Sequence, residues 1–122
     1  SLARDLKLSN EEGLQLEMCV DEACANSIEG ILKQGSAHTT SYVRIEITLK
    51  SSAIHITIQD SGHDFSQALR NASPLHEFSD RTRKRGYGLQ IIKTFMDEVE
   101  YVHDPVGGNR LYLVKYFTQI QE

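Results

Sequence analysis

Only two cysteines, Cys19 and Cys24, are present in this 122-residue chain. Five residues apart on a helix they point in different directions and do not bridge each other, so a disulfide-stapled secreted scaffold is excluded and a reducing cytoplasm fits best. Apolar runs of membrane-spanning length are missing, and no signal peptide or lipidation signal is visible, which leaves no membrane partner. A basic excess is also lacking. The net charge of −4 argues against a dedicated nucleic-acid binder, although residues 81–85 read Arg-Thr-Arg-Lys-Arg. The five histidines, at positions 38, 55, 63, 76 and 103, lack close ligand spacing, which argues against a structural zinc site. Tryptophan is absent and proline occurs twice. What remains, 39% hydrophobic and 25% charged residues, is the composition of one ordinary globular domain over residues 1–122. The chain opens on Ser1 rather than Met, which suits an excised or processed fragment.

The patterns that are present alternate between two periods. Leu2, Leu6 and Leu8 read as the end of a helix. A capping box, Ser9 with Glu12, opens a long helix from about Glu11 to Lys33, with Leu14, Met18, Cys19, Ala23 and Ile31 as its apolar face. Val43, Ile45, Ile47 and Leu49, then Ile54, Ile56 and Ile58, alternate with polar residues around a short polar turn. This predicts a hairpin with one buried face, which the long helix can cover. Residues 61–85 carry no sustained periodicity, and a run of that length in a compact domain is more often functional than accidental. Gly86-Tyr87-Gly88 opens a second amphipathic helix with Leu89, Ile91, Ile92, Phe95, Met96 and Val99 inward. An extended segment from Glu100 to His103, a turn over residues 104–109 and a returning strand through Leu111 and Leu113 complete the chain. The predicted class is α+β, a two-layer sandwich whose mixed, mostly antiparallel sheet is covered by helices on one face.

Three constellations could carry chemistry. Glu22 and Asn26 stand four apart on one side of the long helix, where a carboxylate can accept a proton and an amide oxygen suits Mg²⁺. Asp60 and Gly62 end a strand, where an acid can accept a hydrogen bond from a ligand amino group and Gly permits close approach of a flat ring. Arg85, Gly86, Tyr87, Gly88 and Leu89 form a loop-to-helix junction suited to phosphate. Each alone is more often a solvated face, a turn or a helix start. The glycine pair is neither a P-loop nor a dinucleotide fingerprint.

In this chain order the three resemble the ATP-binding Bergerat fold of gyrase, histidine-kinase and MutL proteins, the GHKL superfamily. Glu22 and Asn26 match its N box, Asp60 and Gly62 its first glycine box, and Gly86, Gly88 and Leu89 its second. Val20-Asp21-Glu22-Ala23-Cys24-Ala25-Asn26, Asp60-x-Gly62-x-x-Phe65, Gly86-Tyr87-Gly88-Leu89-Gln90-Ile91-Ile92 and Met96-Asp97-Glu98-Val99 look like the RsbW-type anti-sigma-factor serine kinases. The resemblance covers nearly the whole chain, with an N-terminus short for the family. It implies ATP and Mg²⁺ as cofactors, Glu22 as general base, Asn26 as the Mg²⁺ ligand and Asp60 as holder of the adenine amino group. Gly62, Phe65, Arg85, Gly86, Tyr87, Gly88 and Leu89 would complete the nucleotide site. The implied partners are a sigma factor and a STAS-domain anti-anti-sigma protein phosphorylated on Ser, with homodimerisation left open. Gly30 stands where the family commonly has His, Asp64 where the superfamily has a second Gly, and Gly108-Asn109 where Gly-Thr is usual. The competing expectations are a partner-switching module without kinase activity and the catalytic domain of a histidine kinase. The second is disfavoured because no phosphoacceptor-helix pair precedes the motifs.

Overall fold

The computed structural model describes residues 8–33, 41–62, 66–72 and 88–117. Their elements are α1 (Asn10–Lys33), β1 (Val43–Lys50), β2 (Ala53–Asp60), α2 (Ser66–Asn71), α3 (Gly88–Phe95), β3 (Glu98–Asp104) and β4 (Gly108–Tyr116). The capping box that the sequence announces is formed: Glu12 N–H donates to Ser9 Oγ at 3.0 Å and Ser9 N–H to Glu12 Oε1 at 3.2 Å. Two first-turn donors are thereby satisfied, and Glu11 and Glu12 face the positive end of the helix dipole.

The strands lie in the order β1-β2-β4-β3, and every neighbouring pair is antiparallel. The expected mixed sheet is therefore antiparallel throughout among the described strands. β2 and β3 do run the same way, but β4 is inserted between them, so no parallel neighbours result. Ile54, Ile56 and Ile58 of β2 and Leu111 and Leu113 of β4 point to one face. There they meet Leu16, Cys19 and Ala23 of α1 and Ile91 and Ile92 of α3 in a single buried cluster. Helices on one face of an antiparallel sheet make the α+β sandwich that the periodicity predicts.

Further expectations need correction. Leu14, assigned to the apolar face of α1, is 53% exposed, whereas Leu16, Cys19 and Ala23 are buried. At about 100° per residue Leu14 lies about 140° around the helix from Cys19, too far to share its stripe. The hairpin is also buried unequally. β2 is interior, but Ile45, Ile47 and Leu49 of β1 are each nearly half exposed, because β1 is the edge strand and the helices lie over the centre of the sheet. Finally, the second helix stops at Phe95, and Val99 belongs to β3. Asp97 and Glu98 thus lie past the end of the helix. The Asp97 carboxylate accepts Tyr116 N–H, and Lys115 Nζ caps the Phe95 carbonyl at 2.7 Å.

The segment expected to lack regular structure contains the short helix α2. The expectations for residues 1–7, and those for Phe65, Arg85, Gly86 and Tyr87, lie outside the described residues.

Candidate functional site

Among the described candidates, Glu22, Asn26 and Gly88 come together. α1 carries Glu22 and Asn26 on its side facing α3, and α3 begins at Gly88. A Cβ at Gly88 would stand 2.7 Å from Glu22 Oε2 and 3.5 Å from Asn26 Nδ2. Glycine is therefore what lets the start of α3 approach the polar pair on α1. This brings a carboxylate, an amide and the amino end of a helix together. Leu89, the next residue, packs half-buried against the core and anchors the helix start.

Asn26 Nδ2 is buried and has no hydrogen-bond partner among the described residues, as is also true of Gln90 Oε1. Buried amides are seldom left without partners, and an Asn amide can turn to present either its nitrogen or its oxygen. No group of three His, Cys, Asp or Glu side chains able to hold a metal occurs among the described residues. A Mg²⁺ ion would fit here in the way it usually binds, through a protein oxygen or two completed by phosphate oxygens and water. The Asn26 amide oxygen could supply such a ligand.

Asp60 ends β2 and is only 2% exposed. Its carboxylate is held by three neutral donors. Gly62 N–H donates to Oδ1 at 2.7 Å, Asn109 Nδ2 to Oδ1 at 2.8 Å, and Ser27 Oγ to Oδ2 at 2.7 Å. Such donors offset much of the cost of burying an acid. The sequence motifs located Asp60 and Gly62 but missed Ser27, which hides as a small residue on the buried stripe of α1. Asn109 is visible in the sequence only as a departure from a motif. It sits opposite Asp60 in the β2–β4 register. Its Oδ1 accepts from the Tyr101 hydroxyl and lies 2.7 Å from His103 Nδ1.

Elsewhere, a cavity of about 270 Å³ lies on the other flank of α1, between Gly13, Leu16, Glu17, Val20 and Asp21 of the helix and Ile47, Ile54 and Ile56 of the hairpin. Its apolar lining offers no convergent set of reactive groups, so chemistry is better sought at the Glu22–Asn26–Gly88 junction. Cys19 belongs to the core: burial pushes its thiol up to about 12, which removes it as a nucleophile at neutral pH. No helix among the described residues is long and apolar enough to cross a membrane.

Comparison with known proteins identifies the family. A family model described as the histidine kinase-like ATPase domain matches residues 1–115. The chain is similar to the anti-sigma F factor of Halalkalibacterium halodurans, at 27% identity over 109 residues, covering 89% of this chain and 73% of that protein. It is likewise 29% identical over 109 residues to the anti-sigma F factor of Bacillus thuringiensis, covering 88% of this chain and 72% of the relative.

Proposed function

The chain belongs to the histidine kinase-like ATPase domain family, and on that premise we propose that it is an ATP-dependent protein-serine kinase acting as an anti-sigma factor in the cytoplasm. Its partners in this reading are a sigma factor and a STAS-domain antagonist, the latter phosphorylated on a Ser. The observation that carries the reading is the approach of Gly88, at the start of α3, to Glu22 and Asn26 on α1. The similarity to anti-sigma F factors over most of the chain supports the choice of partners.

Phosphoryl transfer depends mainly on positioning and charge neutralisation. The amino end of α3 would receive phosphate oxygens, because its first N–H groups have no partner within the helix. Asn26 would hold Mg²⁺, which when bound neutralises charge on the phosphates. Glu22 would accept the proton of the attacking Ser hydroxyl, a contribution of about 10²–10⁴-fold. Asp60 would accept a hydrogen bond from the adenine amino group. Gly62, Phe65, Arg85, Gly86, Tyr87 and Leu89 are assigned to the same nucleotide site.

Calorimetric titration of ATP, with and without Mg²⁺, tests the site. Binding should depend on Mg²⁺ and be lost in Asp60→Asn. A transfer assay with a STAS protein tests the chemistry, where Glu22→Ala should abolish phosphoserine while sparing ATP binding. Complex formation without phosphoserine in the unmodified protein would instead identify a partner-switching module.

A further inference from the structure

A chain of side chains leads from Asp60 away from the phosphate end of the site. Asp60 accepts from Ser27 on one oxygen and from Gly62 on the other, and Asn109 turns its Nδ2 toward it as a third donor, at 2.8 Å. That choice leaves Asn109 Oδ1 facing the Tyr101 hydroxyl and His103 Nδ1. Both must then donate, which places a proton on His103 Nδ1. Asn109 is 1% exposed, Tyr101 and His103 are half-buried on β3, and Asn109 lies directly across from His103 in the β3–β4 register. One orientation of the amide thus satisfies Asp60, Tyr101 and His103 together. The opposite one would set two acceptors, Asn109 Oδ1 and Asp60 Oδ1, against each other.

We infer that Tyr101 and His103 are positioning residues for base recognition: by holding Asn109 Oδ1 they fix Asn109 Nδ2 on Asp60, whose remaining acceptor position then reads an exocyclic amino group. The inference rests on the nucleotide reading of the site proposed above. An ionised carboxylate offers about four acceptor positions. Gly62 N–H and Asn109 Nδ2 take two on Oδ1, and Ser27 takes one on Oδ2. One position on Oδ2 is left for a ligand. It suits the 6-amino group of adenine and opposes the 6-oxo group of hypoxanthine, because an oxygen placed there leaves two acceptors facing each other. Neither Tyr101 nor His103 touches the base in this scheme. Each acts through Asn109.

The test compares ATP with inosine triphosphate, which carries oxygen in place of the amino group. Dissociation constants for both are measured by calorimetry on the full chain, as the unmodified protein, Tyr101→Phe, His103→Phe, the double variant and His103→Gln. The unmodified protein should prefer ATP. The preference should fall about tenfold or more in the double variant, mainly through weaker ATP binding, and partly in each single Phe variant. His103→Gln, whose amide can still donate an N–H, should retain most of the preference. Tyr101→Phe removes a single oxygen and is the deciding variant if the others unfold, as judged by thermal melting. An unchanged ATP preference in a folded Tyr101→Phe or double variant overturns the inference. Failure of the unmodified protein to bind either nucleotide overturns the nucleotide reading itself.

Discussion

Gly108 has φ of +83°, and a Cβ on it would collide with the carbonyl oxygen of Asp60. Both the conformation and the close approach require glycine, because the start of β4 is seated directly against the end of β2. Gly108→Ala should therefore destabilise the fold by about 2 kcal/mol or more, read from denaturant unfolding, and should weaken nucleotide binding by displacing Asn109 from Asp60. Gly107→Ala serves as a control: its Cβ would first meet the end of the Asp104 side chain, at 3.1 Å. The two cysteines differ in the same local way. Burial, chiefly, holds Cys19 in its thiol form up to about 12, while Cys24 is half-exposed with a smaller upward shift, first from desolvation and then from Asp21. A thiol reagent should label Cys24 in the native protein and reach Cys19 only on unfolding. The sign for stability follows. Above the ordinary thiol value of 9.0 the unfolded chain loses the Cys19 proton while the folded chain keeps it. Rising pH from 9 toward 12 should thus favour unfolding in the unmodified protein more than in Cys19→Ala.

The helix α1 is set at its start by local chemistry and along its length by packing. Ser9→Ala removes the acceptor of Glu12 N–H and should cost about 1 kcal/mol, measurable as a lower midpoint in urea. At the other end of the fold, α3 has only eight residues, too few to persist alone in water. Its stability comes from Ile91 and Ile92 in the core, from Lys115 on the Phe95 carbonyl and from Lys93 Nζ on the Ala72 carbonyl. The periodicity of Leu89, Ile91, Ile92 and Phe95 makes the helix legible in sequence, but its end is not. Met96 and Val99 continue an apolar pattern that both a helix and a strand could use. The Asp97 N–H to Val114 carbonyl bond at 2.9 Å joins the chain to the sheet and decides for the strand.

At the scale of the whole molecule, the candidate nucleotide site draws on α1, β2, α3 and β4, with β3 behind it. Any ligand held by all of these binds only the folded chain and must stabilise it by mass action. At a hundredfold excess over its dissociation constant, Mg²⁺-ATP should add about 2.7 kcal/mol, a rise in melting temperature of about 10 °C for a domain of this size. Asp60→Asn should melt at the same temperature with and without nucleotide, whereas Glu22→Ala should keep the shift. This pair of outcomes separates binding from proton transfer without an assay of activity.

The sequence by itself determined the long helix, the two hairpins, the buried faces of β2 and β4, the N-cap of α1 and the placing of Glu22 and Asn26 on one side of that helix. These follow from periods of 3.6 and 2, from capping chemistry and from glycine, all of which act between near neighbours. Only the tertiary structure decided that β1 is an edge with both faces open. A strand's place in a sheet is not written in its own alternation. Only it, too, could place Ser27 and Asn109 on Asp60, with Tyr101 and His103 behind Asn109. Of the partners, Ser27 lies 33 residues from Asp60 and Asn109 lies 49, and neither carries a local signal of its role. A buried acid takes whichever donors the packing brings within reach, and that choice is made by the fold.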